Sequence, residues 1–290
     1  MATEVTASMV KELREKTGAG ILDAKKALVE NNGDMDKAME FLRQKGIASA
    51  DKKMGRIAAE GIVATYIENG VGAVLEVNCE TDFVAKNEDF QEFVKCLAKH
   101  IVETKPASLN ALNASKCEAC DKTVEEAVKE KIAKIGEKIT IRRFDILEGN
   151  LAAYTHNNKI GVLLKTSAAD EVVAKDLCLH IASSAPEFVS RNEIPQAVIE
   201  EETRIEMGKE DLAGKPDNIK EKIVEGRISK LMAGKCLLDQ PFVKNPDETV
   251  AKHIEGKLSV EKFIRYTLGE GLEKRQDNFA EEVMNQVKSN

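Results

Sequence analysis

Residues 60–78 read EGIVATYIENGVGAVLEVN, and residues 148–167 read EGNLAAYTHNNKIGVLLKTS. Tyr66 matches Tyr154 and Gly72 matches Gly161. In each stretch two strand-like runs flank a pair, Asn69-Gly70 or Asn157-Asn158, of the kind that turns a tight β-hairpin. Further along, Leu97-Ala98-Lys99-His100-Ile101 matches Leu177-Cys178-Leu179-His180-Ile181. The repeated unit is therefore a β-hairpin followed by a helix. Its duplication predicts an α+β protein with two related subdomains, each a small antiparallel sheet with helices.

The two copies differ in one place. Gly72 and His100 are 28 positions apart, whereas Gly161 and His180 are 19 apart. The extra residues fall between Asn78 and Phe90, in the stretch NCETDFVAKNEDF. The second copy joins strand to helix through Ser167-Ala168-Ala169-Asp170. The scaffold thus does not need Thr81, Asp82, Phe83 and Val84 in order to fold. An acid and a ring on an inserted connection point to binding. The competing reading folds Phe83 back onto the sheet as a core residue.

Outward from the repeat, residues 5–46 read as three short helices. Met9, Val10 and Leu13 share a face of the first, and Thr17-Gly18-Ala19-Gly20 breaks it. Ile21, Ala24, Ala27 and Leu28 carry the second, which stops at Asn32-Gly33. Asp34 is placed to cap the third, whose face is Met35, Ala38, Met39 and Leu42, and Gly46 is placed to end it. A helical link, Ile47 to Arg56, follows. So small a unit has a thin core and reads as a docking module. Gly18-x-Gly20 is not a dinucleotide loop, because no strand precedes it and Asp23 stands where a third Gly belongs. No GxxxxGK[ST] motif occurs.

Beyond the first copy lies a polar connection, Glu103 to Thr123, then a helix from Val124 to Ile135 ended by Gly136. KITIRRFDIL is a strand with Ile139, Ile141 and Phe144 on its apolar side. Pro195 to Met232 forms an antiparallel helical hairpin, turned at Gly214-Lys215-Pro216, with a stripe of Ile219, Ile223, Val224, Ile228 and Leu231. A third strand region spans Lys262 to Leu268, and a last amphipathic helix runs from Gln276 with Phe279, Val283 and Val287 on its face. The expected divisions are 1–54, 55–140, 141–194, 195–232, 233–268 and 269–290. They comprise the docking module, core subdomain N, the first part of core subdomain C, the inserted hairpin, the second part of core subdomain C, and the C-terminal helix.

Composition narrows the function. The chain has 290 residues, a net charge of −7 and no Trp. Short clusters such as Ile141-Arg142-Arg143 are no basic stripe, so direct nucleic-acid binding is not expected. No run is long and apolar enough for a membrane span, and Met1-Ala2-Thr3-Glu4-Val5 is not laid out as a signal peptide, so a cytoplasmic protein is expected. The six Cys are scattered, and the single CxxC, Cys117 to Cys120, lacks the second pair that a structural zinc needs. His100, His156, His180 and His253 show no catalytic spacing. Matched places in the repeat favour structural roles for His100 and His180, whereas His156 sits at a hairpin tip. No metal, no cofactor and no enzyme chemistry are expected.

VKELREKTGAGILDAKKAL, LEVNCETDFVAKNEDF, AKIGEKITIRR and LDQPFV, in this order, resemble the bacterial-type elongation factor Ts family over nearly the whole chain. The segment from about 103 to 127 is longer and more divergent than in that family. The resemblance implies a guanine-nucleotide exchange factor for elongation factor Tu, acting in protein biosynthesis. It implies that the N-terminal helices are ubiquitin-associated-like and dock on Tu, with Lys11, Arg14, Ile21 and Leu22 among the contacts. Thr81, Asp82, Phe83 and Val84 would reach the Mg²⁺ and nucleotide site of Tu. Ile135, Gly136 and His156 would make further contacts, as would the last helix. The helical hairpin would be a dimerisation or coiled-coil module, which allows a homodimer or a 2:2 complex with Tu. The alternatives are a non-exchanging adaptor built on the N-terminal module, and an enzyme using the Cys or His residues.

Overall fold

Caps set the first three helices. The computed structural model, which describes residues 5–117 and 122–273, has α1 at Ala7–Thr17, α2 at Ile21–Glu30 and α3 at Met35–Lys53. The Thr6 side chain accepts the Met9 N–H at 3.3 Å, and Asp34 accepts that of Lys37 at 3.1 Å. Gly18 ends α1 at φ 68°, where a side chain would be strained. Leu13, Ala24, Ala27, Leu28 and Ala38 form a small core between the three helices.

The first copy of the repeat follows as β1 (Glu60–Glu68), β2 (Val71–Cys79), α4 (Asp82–Ala85) and α5 (Glu88–Thr104). Asn69 and Gly70 turn the hairpin at φ 50° and 74°. The connection expected to be polar is partly ordered. It holds α6 (Leu109–Ala114), whose Leu112 is fully buried, and a two-stranded ribbon of β3 (Lys116–Cys117) and β4 (Lys122–Thr123). α7 (Val124–Ile135) begins at a capping box of Thr123 and Glu126 and ends at Gly136, φ 87°.

α7 corrects one expectation. α3 does not stop at Gly46 but runs on to Lys53, absorbing much of the helical link. Gly46 is there for close approach: a Cβ on it would lie 2.9 Å from that of Ala133 in α7. β5 spans Thr140–Glu148, so the expected division at 140/141 falls at its first residues. It joins the sheet of order β1-β2-β5. Arg142 and Arg143, both on β5, converge on Glu76 of β2, whose side chain is fully buried. Asn78 Nδ2 and the Gly269 N–H complete the shell at 3.1 and 2.8 Å. Burial pushes the Glu76 pKa up, but these donors outweigh it and hold the carboxyl below its ordinary 4.5.

The second copy is β6 (Asn150–His156), β7 (Ile160–Thr166) and α8 (Glu171–Ser184). Then come α9 (Gln196–Met207) and α10 (Asp217–Lys235), β8 (Pro241–Phe242), β9 (Asn245–Thr249), α11 (Val250–Ile254) and β10 (Val260–Thr267). The sheet has the order β10-β7-β6 and is antiparallel throughout, with Val162 facing both Tyr154 and Arg265. Val162, Leu164, Leu177, Ile181 and Phe242 centre its core. Arms α9 and α10 bury Leu212, Val224, Ile228 and Met232 but leave Ile205 and Ile219 about half exposed, at 50% and 46%. The matched glycines each admit the other copy. A Cβ on Gly72 would lie 2.8 Å from Leu163, and one on Gly161 would lie 2.5 Å from Val63.

Two compact units result. One holds the described residues up to Ile62, Glu76–Phe144 and those from Leu268 onward; the other holds Val63–Leu75 and Asp145–Thr267. The N-terminal helices, expected as a module of residues 1–54, fall within the first unit. Among the described residues no helix is long and apolar enough to cross a membrane. The helix expected from Gln276, the first four residues and Cys120 lie outside the described residues.

Candidate functional site

The inserted stretch is a one-turn helix held out at its tip. Thr81 is the N-cap of α4, at φ −127° and ψ 155°, and its Oγ1 accepts the Val84 N–H at 3.4 Å. The Phe83 ring is 80% exposed, whereas Phe90, seven residues on, is fully buried. A large ring at that exposure contributes little to a core, so the reading that tucked Phe83 onto the sheet is set aside. Asp82 is half-buried, and its Oδ2 takes the Lys86 ammonium at 2.6 Å, one helical turn away.

Two groups of the residues singled out in the sequence come together here. Ile135, half-buried, ends α7, and the exposed Gly136 reverses the chain, donating its N–H to Ile132 O at 2.9 Å. The next residue, Glu137, reaches across to the inserted stretch. Its Oε2 accepts the N–H groups of Glu80 and Thr81 at 3.1 and 3.0 Å, and its Oε1 accepts the Thr81 hydroxyl at 2.7 Å. Glu80 answers by accepting the Lys138 N–H at 2.6 Å, while Arg56 Nη1 lies 3.2 Å from the same carboxylate oxygen. Beneath them Cys79 donates its thiol to Thr81 O at 3.1 Å. Burial, and then the charge of Glu137, push that thiol up to about 12. A thiol that stays protonated is a poor nucleophile, and burial pushes Cys178 to about 12 as well.

Sequence reasoning does not single out Glu80, Glu137, Lys138 and Arg56, which support this turn. The two glutamates do lie inside the quoted stretches NCETDF and IGEKI, each next to a residue already chosen. That adjacency was the available signal.

The remaining chosen residues lie elsewhere. Lys11 and Arg14 are exposed on α1, with Lys11 3.8 Å from Glu15. Ile21 and Leu22 open α2 at 59% and 82% exposure, an apolar pair standing in solvent beside charged neighbours. All four belong to the first unit, as does the Thr81 region. His156 belongs to the second, at the β6–β7 turn, where its ring nitrogens meet Tyr154 Oη at 3.0 Å and Asn157 Nδ2 at 3.2 Å. His100 and His180 are buried inside α5 and α8. His180 accepts the Val243 N–H at Nδ1, 3.1 Å, so its Nε2 donates to Gln240 Oε1 at 2.9 Å. Among the described residues no three or more His, Cys, Asp or Glu side chains gather as a metal site.

A protein-family model described as Elongation factor TS matches residues 80–270. The match opens at Glu80, directly before the inserted turn. It takes in the Ile135-Gly136 step, the β6–β7 hairpin and the helical hairpin, and closes at Glu270 beside the Glu76 cluster. The three N-terminal helices precede it. With more than half of the sequence matched, the chain belongs to the elongation factor Ts family of translation elongation factors.

Proposed function

We propose that this chain is the guanine-nucleotide exchange factor of elongation factor Tu and promotes GDP release by disturbing the Mg²⁺ and nucleotide site of that GTPase. The observation that carries the reading is Phe83: a ring 80% exposed, on a turn whose N-cap is tied down by Glu137. A GTPase holds GDP through phosphate contacts and a bridging Mg²⁺. An exchange factor must bind the nucleotide-free state better than the GDP state, and GDP and factor then weaken each other's binding by the same ratio. A ring presented this way can wedge between elements that support the metal, and the Asp82 carboxylate can compete for donors there. No bond is made or broken in the protein, so the role is release of a ligand and not catalysis of a reaction.

In this reading Lys11, Arg14, Ile21 and Leu22 dock the N-terminal helices on Tu. Ile135, Gly136 and His156 make further contacts, and the hairpin of α9 and α10 serves association. The exposure of Ile21, Leu22 and Gly136 supports those assignments. The test is release of a fluorescent GDP analogue from Tu in stopped flow. Acceleration by the full chain is expected. Binding without acceleration identifies the non-exchanging adaptor instead.

A further inference from the structure

Two carboxylates cross between two loops of the first unit. Glu137, directly after Gly136, satisfies the backbone N–H groups of Glu80 and Thr81, and Glu80 satisfies that of Lys138. Such bonds from N–H to a carboxylate are shorter and stronger than neutral ones. The Lys138 ammonium closes the circuit on the Arg56 carbonyl at 2.9 Å. An exposed Lys–Glu pair contributes little, but here each carboxylate meets part-buried backbone donors that belong to no strand ladder or helix. Removing it leaves them unpaired.

Besides the clamp, the turn that follows Thr81 has the Asp82–Lys86 pair and a bond from Gln91 Nε2 to Ala85 O at 3.4 Å. α4 spans four residues and buries none of them. A helix of that length does not persist unaided in water. Its direction, and with it the direction of the Phe83 ring, is set through the N-cap Thr81.

Resting on the exchange reading above, we propose that Glu137 is a positioning residue. Together with Glu80 it makes the Thr81–Val84 turn and the Ile135-Gly136 step one rigid surface for the partner GTPase. Glu137 acts through Thr81, and Phe83 makes the contact.

Amide hydrogen exchange on the free full-length chain reads the clamp without the partner. Glu137→Ala raises exchange at the Glu80 and Thr81 amides and along α4 by about tenfold or more. Glu137→Gln keeps most of the protection, since its amide oxygen still accepts both N–H groups and its NH₂ can donate to the Thr81 hydroxyl. In stimulated GDP release, Glu137→Ala lowers the maximal rate about tenfold, equivalent to roughly 1.4 kcal/mol of barrier. The half-saturating concentration stays nearly unchanged, and Glu137→Gln recovers the rate. Phe83→Ala combined with Glu137→Ala costs no more than Phe83→Ala alone, because both act through one ring. Should Glu137→Ala fail to fold, Glu137→Asp, whose side chain is one methylene shorter and draws the carboxylate back from these donors, carries the same readouts. Unchanged amide exchange over residues 80–85, or equal losses in the Ala and Gln variants, overturns the proposal. A wild-type chain that does not speed GDP release overturns the exchange reading instead, and the amide-exchange arm still decides whether the clamp holds the turn.

Discussion

The two copies of the hairpin–helix unit agree in almost every local choice. Both hairpins turn through residues at positive φ, Asn69-Gly70 and Asn157-Asn158. Both helices carry a buried His, and both end on a left-handed residue, Lys105 or Ala185, whose N–H returns to Ile101 or Ile181. They part company between strand and helix. In the second copy Asp170 caps α8 directly, accepting the Val173 N–H at 3.0 Å. In the first, the chain makes an extra turn, exposes Phe83 and only then lets Asn87 cap α5. A scaffold that closes without the turn leaves that turn free to be shaped by a partner, which is why the comparison separates packing from binding.

The largest effect expected from breaking this comparison lies in the two rings that bracket the Asn87 cap. Phe90→Ala, at a fully buried position, costs about 3–5 kcal/mol in urea unfolding. Phe83→Ala leaves the midpoint nearly unchanged while slowing stimulated GDP release. A large drop in melting temperature for Phe83→Ala, with release intact, would reverse the assignment. Next comes a matched pair on the second strands, Glu76 in β2 and Lys165 in β7. Glu76 is buried beneath two guanidiniums, so Glu76→Ala strands partly buried cations and costs about 3 kcal/mol. Lys165 pairs with Glu261 at 3.1 Å in partial exposure, and Lys165→Ala costs roughly 1 kcal/mol or less. Equal costs in denaturant titrations would show that the copies do not differ there.

Smaller still is a dependence on pH. Burial, only partly offset by the Gln240 bond, sets His180 below its ordinary 6.5. As the pH falls through that value the unfolded chain takes up a proton that the folded one refuses. The His180 contribution is therefore complete above 6.5 and declines below it. Unfolding measured at a series of pH values should lose this part of its slope in His180→Gln. The smallest change in stability is expected for Asp82→Asn, which breaks a largely solvated pair between half-buried Asp82 and exposed Lys86 and costs roughly 0.5 kcal/mol. The same variant slows GDP release, by less when Mg²⁺ is already chelated, if its carboxylate acts on the metal.

Much of the scaffold was legible because local chemistry sets it. Gly18, Asp34 and Gly136 act where their side chains, or the lack of one, satisfy orphaned helix ends. What stayed hidden is tertiary. Gly46 resembles a stop signal, yet it serves a close approach of α3 to α7 that no local pattern reveals. Ile141-Arg142-Arg143 looks like a short basic cluster, but both guanidiniums are committed to Glu76, so β5 belongs with the first sheet. The candidate site was legible only as an inserted turn, from a difference in length between two copies. Its support was not, because Glu80 and Glu137 are 57 residues apart and each alone reads as a solvated acid.

Gly72 makes room for Leu163 and Leu151 of the other copy, and Gly161 makes room for Val63 and Val74 in return. Between separate chains such a reciprocal contact would be isologous, and every feature of one protomer would occur twice. A loop added to one partner would be added to both, whether or not both had use for it. Joined in tandem, the copies escape that constraint. The peptide link also fixes the effective concentration of each copy at the other, so the pairing does not weaken on dilution. Duplication within one chain thus gives a pseudo-symmetric frame the freedom to carry an unpaired appendage. The turn at Thr81–Val84 occurs once, and Asp170 caps its counterpart without it.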